Sequence, residues 1–246
     1  MRWLRRGLSL ACAGLAVSTL SACELPEDDD SGNAPTDEIF ATISVLAKGD
    51  GQTHVFYGMR DQDASGTPIK VSIGEDLEIT AGGVPGNVAA TSDNQYYALF
   101  NTDAPGTRID VKFHRDKDDD AESVVDLPEG HTLTLNERMT GTEIQRGNDV
   151  YIDWQPTGTT GEDIDWSVSG PCVETTTGYF RDDGSDFVRA GNIRVDPAAA
   201  GTTCDVTISL SKTVSGTIDP GYAADSSILA TRSDSLTITS TPSDTE

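Results

Sequence analysis

The 246-residue chain reads as all-β: two β-sandwich domains after an N-terminal leader and tether. Three observations predict this. Beyond position 39, apolar residues recur with period two in short runs. Gly, Pro, Asn and Asp punctuate those runs. No stretch there carries the 3.6-residue period of an amphipathic helix.

Taken in order, Ile43, Val45 and Ala47 alternate, as do Val55, Tyr57 and Met59. Ile69, Val71 and Ile73 predict the next strand, then Leu77 with Ile79. Past the turn-rich Gly82–Gly86 come Tyr97 with Leu99, then Ile109, Val111 and Phe113, then Val124 and Val125. Leu127-Pro128-Glu129-Gly130 breaks the pattern and sets a boundary between 39–128 and 129–242. The second set holds Leu133 and Leu135; Val150, Ile152 and Trp154; Ile164, Trp166 and Val168; Tyr179 and Phe180; and Val188, Ile193 and Val195. The alternation Cys204, Val206, Ile208 and Leu210 is the cleanest, and Leu236 with Ile238 ends the series. Each half is the size at which a two-sheet sandwich closes one core.

Residues 1–22 have the form of an export signal. Arg2, Arg5 and Arg6 precede an apolar run from Gly7 to Leu20, and Leu20-Ser21-Ala22-Cys23 follows. That run is short of the ~20 residues a membrane-spanning helix needs. It also ends at acidic residues rather than a basic flank. The four residues ending at Cys23 resemble the lipobox of bacterial lipoproteins. The resemblance implies cleavage before Cys23, a diacylglycerol thioether on its sulfur and acylation (palmitate-type) of its amino group. Glu24, in place of aspartate, implies by the same resemblance the outer membrane of a Gram-negative cell envelope. Residues 23–38 then read as a disordered tether: Glu24 to Glu38 holds seven acids, two prolines and no base. Fully extended, it would reach at most about 50 Å.

The chain carries 17 basic and 41 acidic residues, a net charge of −24. A nucleic-acid partner is excluded as an expectation, because phosphate binding needs a basic stripe. Aspartates dominate, 29 against 12 glutamates, and they are dispersed. They read as a solubilising surface ahead of calcium ligands, the competing reading. Of the four cysteines, Cys12 is discarded with the leader and Cys23 takes the lipid. Cys172 and Cys204 are left as an even pair in an oxidising compartment, which predicts one disulfide.

Asp116, Asp118 and Asp120 have the alternating spacing that opens a calcium loop. Ala121 and Leu127 stand where an EF-hand needs glycine and glutamate, so a solvated turn is the favoured reading over a Ca²⁺ site. Asp182-Asp183-Gly184 with Asp186 reads as a second acidic turn. Asp153 and Asp165 flank tryptophans, which invites a glycoside-hydrolase pair. Strand parity instead puts Trp154 and Trp166 on core faces and the aspartates towards solvent. His54, His114 and His131 read as ordinary strand or loop residues, with no nucleophile elbow, zinc helix, phosphate loop or dinucleotide fingerprint in the sequence.

The strand count and spacing of the mature chain resemble tandem immunoglobulin-like domains of bacterial envelope proteins. No tryptophan lies between Cys172 and Cys204, so the resemblance stops short of the antibody disulfide. The expected function is a non-enzymatic binding or structural module without a cofactor. It is held to the membrane by its lipid and partnered by an envelope protein or glycan. Calcium-dependent adhesion and a carbohydrate-active enzyme are the alternatives.

Overall fold

The computed structural model describes residues 29–91, 94–139, 141–158, 162–199 and 201–242. Among them the first half supplies β1 (Ile39–Ala47), β2 (Thr53–Asp61), β3 (Asp76–Ala81), β4 (Gln95–Phe100), β5 (Arg108–His114) and β6 (Ala121–Asp126). The second half supplies β7 (Thr132–Leu135), β8 (Val150–Gln155), β9 (Asp163–Gly170), β10 (Val173–Arg181), β11 (Ser185–Val188), β12 (Cys204–Ser215) and β13 (Ser227–Thr241). The fold is all-β.

One long sheet runs through both halves in the order β10-β9-β12-β13-β1-β2-β4. Two small sheets cover it: β6-β5-β3 closes the first core, and β7-β8-β11 closes the second. Alternation sorts each strand. Ile39, Ala41, Ile43, Val45 and Ala47 of β1 are all buried, and Val150, Ile152 and Trp154 of β8 are fully so. Burial of these alternating side chains is the main favourable term, because each apolar group removed from water contributes in proportion to its area.

The expected boundary at 128/129 does not separate the chain into two self-contained halves. The hairpin β12–β13 leaves the second core and enters the first, where Tyr222, Ile228 and Ala230 are buried, and then returns. On one side β13 lies along β12. On its other side it runs parallel to β1 from Ser227 to Arg232, and parallel to Glu143–Gln145 near its end. Along one face of β13 the side chains therefore read apolar, charged, apolar: Ile228 and Ala230, then Arg232 and Asp234, then Leu236 and Ile238. The charged pair falls where the strand crosses between cores.

Three strand and tether expectations need correction. Residues 29–38 of the expected tether are ordered: Asp29–Asp30 pairs parallel with Ile69–Lys70, and Ser31 and Thr36 are buried. The Ile69–Ile73 strand is only two residues long, and Ile73 stands fully exposed in a turn whose Ser72 bonds to Ser31. In β4 the inward residues are Ala98 and Phe100, so Leu99 is exposed. A small alanine between two tyrosines and a leucine hides the true parity.

Cys172 and Cys204 form the predicted disulfide, with Cα atoms 6.0 Å apart. It fastens the start of β12 opposite Ser240, at the end of the second sandwich away from the first. The bond closes a loop with a sequence separation of 32. Replacing both cysteines by alanine should lower stability by about 2–4 kcal/mol, by freeing the unfolded chain. Denaturant unfolding of the two proteins checks this, and equal midpoints would refute it.

Candidate functional site

The most elaborate polar site joins residues 31–38 to the far end of the first sandwich. Arg115, just past β5, lies over the ring of Phe113, with Cζ 5.0 Å from the centroid. Four of its five N–H groups are engaged. Nε donates to Glu75 Oε1 at 2.7 Å and Nη1 to Thr36 Oγ1 at 3.0 Å. Nη2 donates to the Ser31 carbonyl at 2.7 Å and to the Ala34 carbonyl at 2.8 Å. The Arg115 and Glu75 side chains are 2% and 1% exposed. Burial opposes ionisation of Glu75, but the Ser31 hydroxyl and the guanidinium outweigh it and hold the carboxyl below its ordinary value.

The acidic turn belongs to this clasp. Asp118 Oδ2 accepts from the Thr36 N–H at 2.6 Å and from its hydroxyl at 2.8 Å, and these bonds hold its pKa down. Asp120 turns the other way, to the Arg115 N–H at 2.8 Å and to His114 Nδ1 at 2.9 Å. Asp116 lies against Gly74. The structure thus brings the three carboxylates into one turn but aims them at different partners. Among the described residues no group of three or more His, Cys, Asp or Glu is gathered for a metal. What the sequence did not reveal is that one of these acids, Asp118, binds Thr36 of the supposed tether, 82 residues earlier.

A second polar site fills the seam between the cores. Asp182, expected as a turn residue, is buried and accepts from Trp154 Nε1 at 2.9 Å and from Lys212 Nζ at 3.2 Å. A Cβ on Gly158 would sit 2.0 Å from Asp182 Oδ2, so only glycine admits this approach. His131 Nε2 lies 3.7 Å from Asp182, and its backbone N–H donates to Asp234 Oδ2 at 2.8 Å. Arg232 reaches the Asp103 carbonyl and also Asp234. The seam is therefore held by charges that the two cores enclose.

This arrangement has a pH signature. Burial pushes the His131 imidazole below its ordinary 6.5, and Lys212 adds to this, while Asp182, Asp234 and Glu129 oppose it. A group depressed by folding contributes stability that is present above its unfolded value and is lost as pH falls through the folded one. Asp182 and Glu75, also depressed, follow the same sign from 3.8 and 4.5 downwards. Stability should thus begin to decline below about pH 6.5, before any carboxylate titrates. His131→Gln should flatten that first decline and leave the second, as melting temperatures between pH 7 and pH 3 will show.

The remaining sequence candidates fall as follows. Cys23 lies outside the described residues. Trp154 and Trp166 face the second core, each stacked with Phe180. Asp165 is exposed, and Asp153 accepts from Asn136 Nδ2 at 2.8 Å. These two carboxylates make no shared cleft with the tryptophans. His54 Nδ1 pairs with the Tyr97 hydroxyl at 2.9 Å.

No family model matches the chain, and no curated protein matches it. Among solved structures it is similar to the Yersinia pseudotuberculosis adhesin InvE, at 12% identity and a TM-score of 0.26. That match covers 85% of this chain and 60% of that one. It is similar at the same TM-score to DIP-gamma IG1+IG2, at 8% identity over 84% of this chain and 96% of that chain. Likenesses this remote add nothing to the fold as described and say nothing of ligand or partner.

Proposed function

We propose that the protein is an envelope-anchored, non-enzymatic binding or structural module, tied by a lipid on Cys23 to the outer membrane of a Gram-negative cell. The observation that carries the reading is the clasp. Six residues after Cys23 the chain is already part of the fold, so the first sandwich stands at most roughly 20 Å from its anchor. A free tether of the expected length would have allowed about 50 Å.

The clasp also orients the molecule. It sits at the start of β1, whereas Gly49, just past the other end of β1, lies against Ser233 and Asp234 at the seam. The second sandwich is then the outer one, carried by a β13 of 15 residues that spans about 50 Å. Lipid, short spacer and stiff shared sheet together favour a module that presents a surface at a set distance over one that turns over a substrate.

Intact-mass analysis of the protein from its native host tests the anchor. The expected species begins at Cys23 and carries the mass of a diacylglycerol plus an acyl chain. A free thiol at Cys23, or an uncut leader, would overturn the proposal.

A further inference from the structure

The second sandwich is open along one side, where β10 and β11 end their respective sheets. A groove of about 340 Å³ lies between them, lined by Trp166, Tyr179, Phe180, Phe187, Arg189 and Asn192 among others. That volume falls within the range of small-ligand clefts. Gly178 keeps its wall close-fitting: a Cβ there would come within 2.6 Å of the Trp166 ring. Tyr179, beside it, is 72% exposed.

Next to the groove, on the outer face of β8 and β11, four side chains form a row. Tyr151 and Phe187 stack with centroids 5.1 Å apart. Arg138 lies over Tyr151 at 5.4 Å and Arg189 over Phe187 at 5.8 Å. Each arginine thus packs on an aromatic ring of the row. Neither arginine makes an ion pair among the described residues, whereas Arg108, Arg115 and Arg232 do. The nearby Asp186 carboxylate accepts instead from the Phe187 N–H at 2.8 Å.

In a chain of net charge −24, two ring-packed guanidiniums without an ion-pair partner among the described residues complement an anion, although Asp186 also lines the groove. Set on either side of a ring pair, they suit a ligand bearing more than one carboxylate. Pyranose rings present flat C–H faces that pack on an exposed aromatic ring such as Tyr179. We propose that this open edge binds an anionic oligosaccharide, its carboxylates on Arg138 and Arg189 and a sugar ring on Tyr179. The inference rests on the binding-module reading for its setting only, since the anchor plays no part in the contact.

Affinity electrophoresis of the mature protein in detergent tests it, with polygalacturonate, neutral dextran and polyglutamate as probes. Polygalacturonate should retard the protein and dextran should not. Arg138→Ala with Arg189→Ala should weaken retardation at least tenfold at an unchanged melting temperature. Tyr179→Ala, at an exposed position that leaves folding intact, should weaken it severalfold. Retention of full binding by Tyr179→Ala, equal binding to polyglutamate, or no binding to polygalacturonate would each overturn the proposal. None of these outcomes bears on the mass of the lipidated cysteine.

Discussion

Arg115→Ala should cost about 3–5 kcal/mol of stability, the usual penalty for leaving half of a buried ion pair. Its partner Glu75 is sealed from solvent, and four hydrogen bonds end on this one guanidinium. Removing it strands a carboxylate and orphans the Ala34 carbonyl, while the Ser31 carbonyl keeps only the Ala34 N–H at 3.2 Å, and each unmet buried group adds its own desolvation cost. Arg115→Lys keeps the charge but cannot reach all four acceptors from one ammonium, so it should recover only part of the loss. Pairing Arg115→Met with Glu75→Gln removes both charges and should recover more than the single change. Denaturant midpoints measure the energy, and hydrogen exchange at residues 31–38 measures the release. A wild-type midpoint together with continued protection of that segment would show that the clasp is not what holds it. Under the proposed lipid anchor on Cys23, release would also lengthen the spacer from roughly 20 Å to about 50 Å.

Why the clasp escaped sequence reading is a matter of range. Glu24 to Glu38 has acids, prolines and no apolar period, the composition of a chain with nothing of its own to bury. The order of its described part, residues 29–38, comes from partners about forty to eighty residues later, Arg115 and Asp118 chief among them, and no local pattern reports such pairings. The strands were legible wherever one face is uniformly apolar, as in β1, β5, β8 and the first half of β12. Parity also placed Trp154 and Trp166 inward. The hairpin was illegible because its inward face changes character: Lys212, Arg232 and Asp234 interrupt the apolar run where it crosses the seam. Asp182 was hidden in another way, since an Asp-Asp-Gly turn explains itself locally. Its burial depends on Trp154, Lys212 and a glycine at position 158, all distant in sequence.

The crossing hairpin makes the first half dependent on the second, and this dependence carries the largest expected effect. A fragment of residues 29–128 should not fold. Without β13, β1 loses its parallel neighbour, the first core loses Tyr222, Ile228 and Ala230, and the Tyr57 hydroxyl loses its 2.9 Å partner on Tyr222. Joining residues 213–232 to the end of that fragment through a flexible linker should restore a cooperative transition. A fragment without that addition that gave dispersed amide spectra and a sharp melt would refute the dependence. In the full chain the same sheet should couple the two cores. Ile228→Ala opens a cavity in the first core worth about 2–5 kcal/mol. The described tryptophans, Trp154 and Trp166, both lie in the second core. If β13 transmits the loss, the tryptophan-fluorescence transition must shift with that substitution, although neither described tryptophan belongs to the altered core. An unmoved fluorescence midpoint would mean that the cores unfold independently, and that the polar stretch of Lys212, Arg232 and Asp234 acts as a hinge rather than a splice.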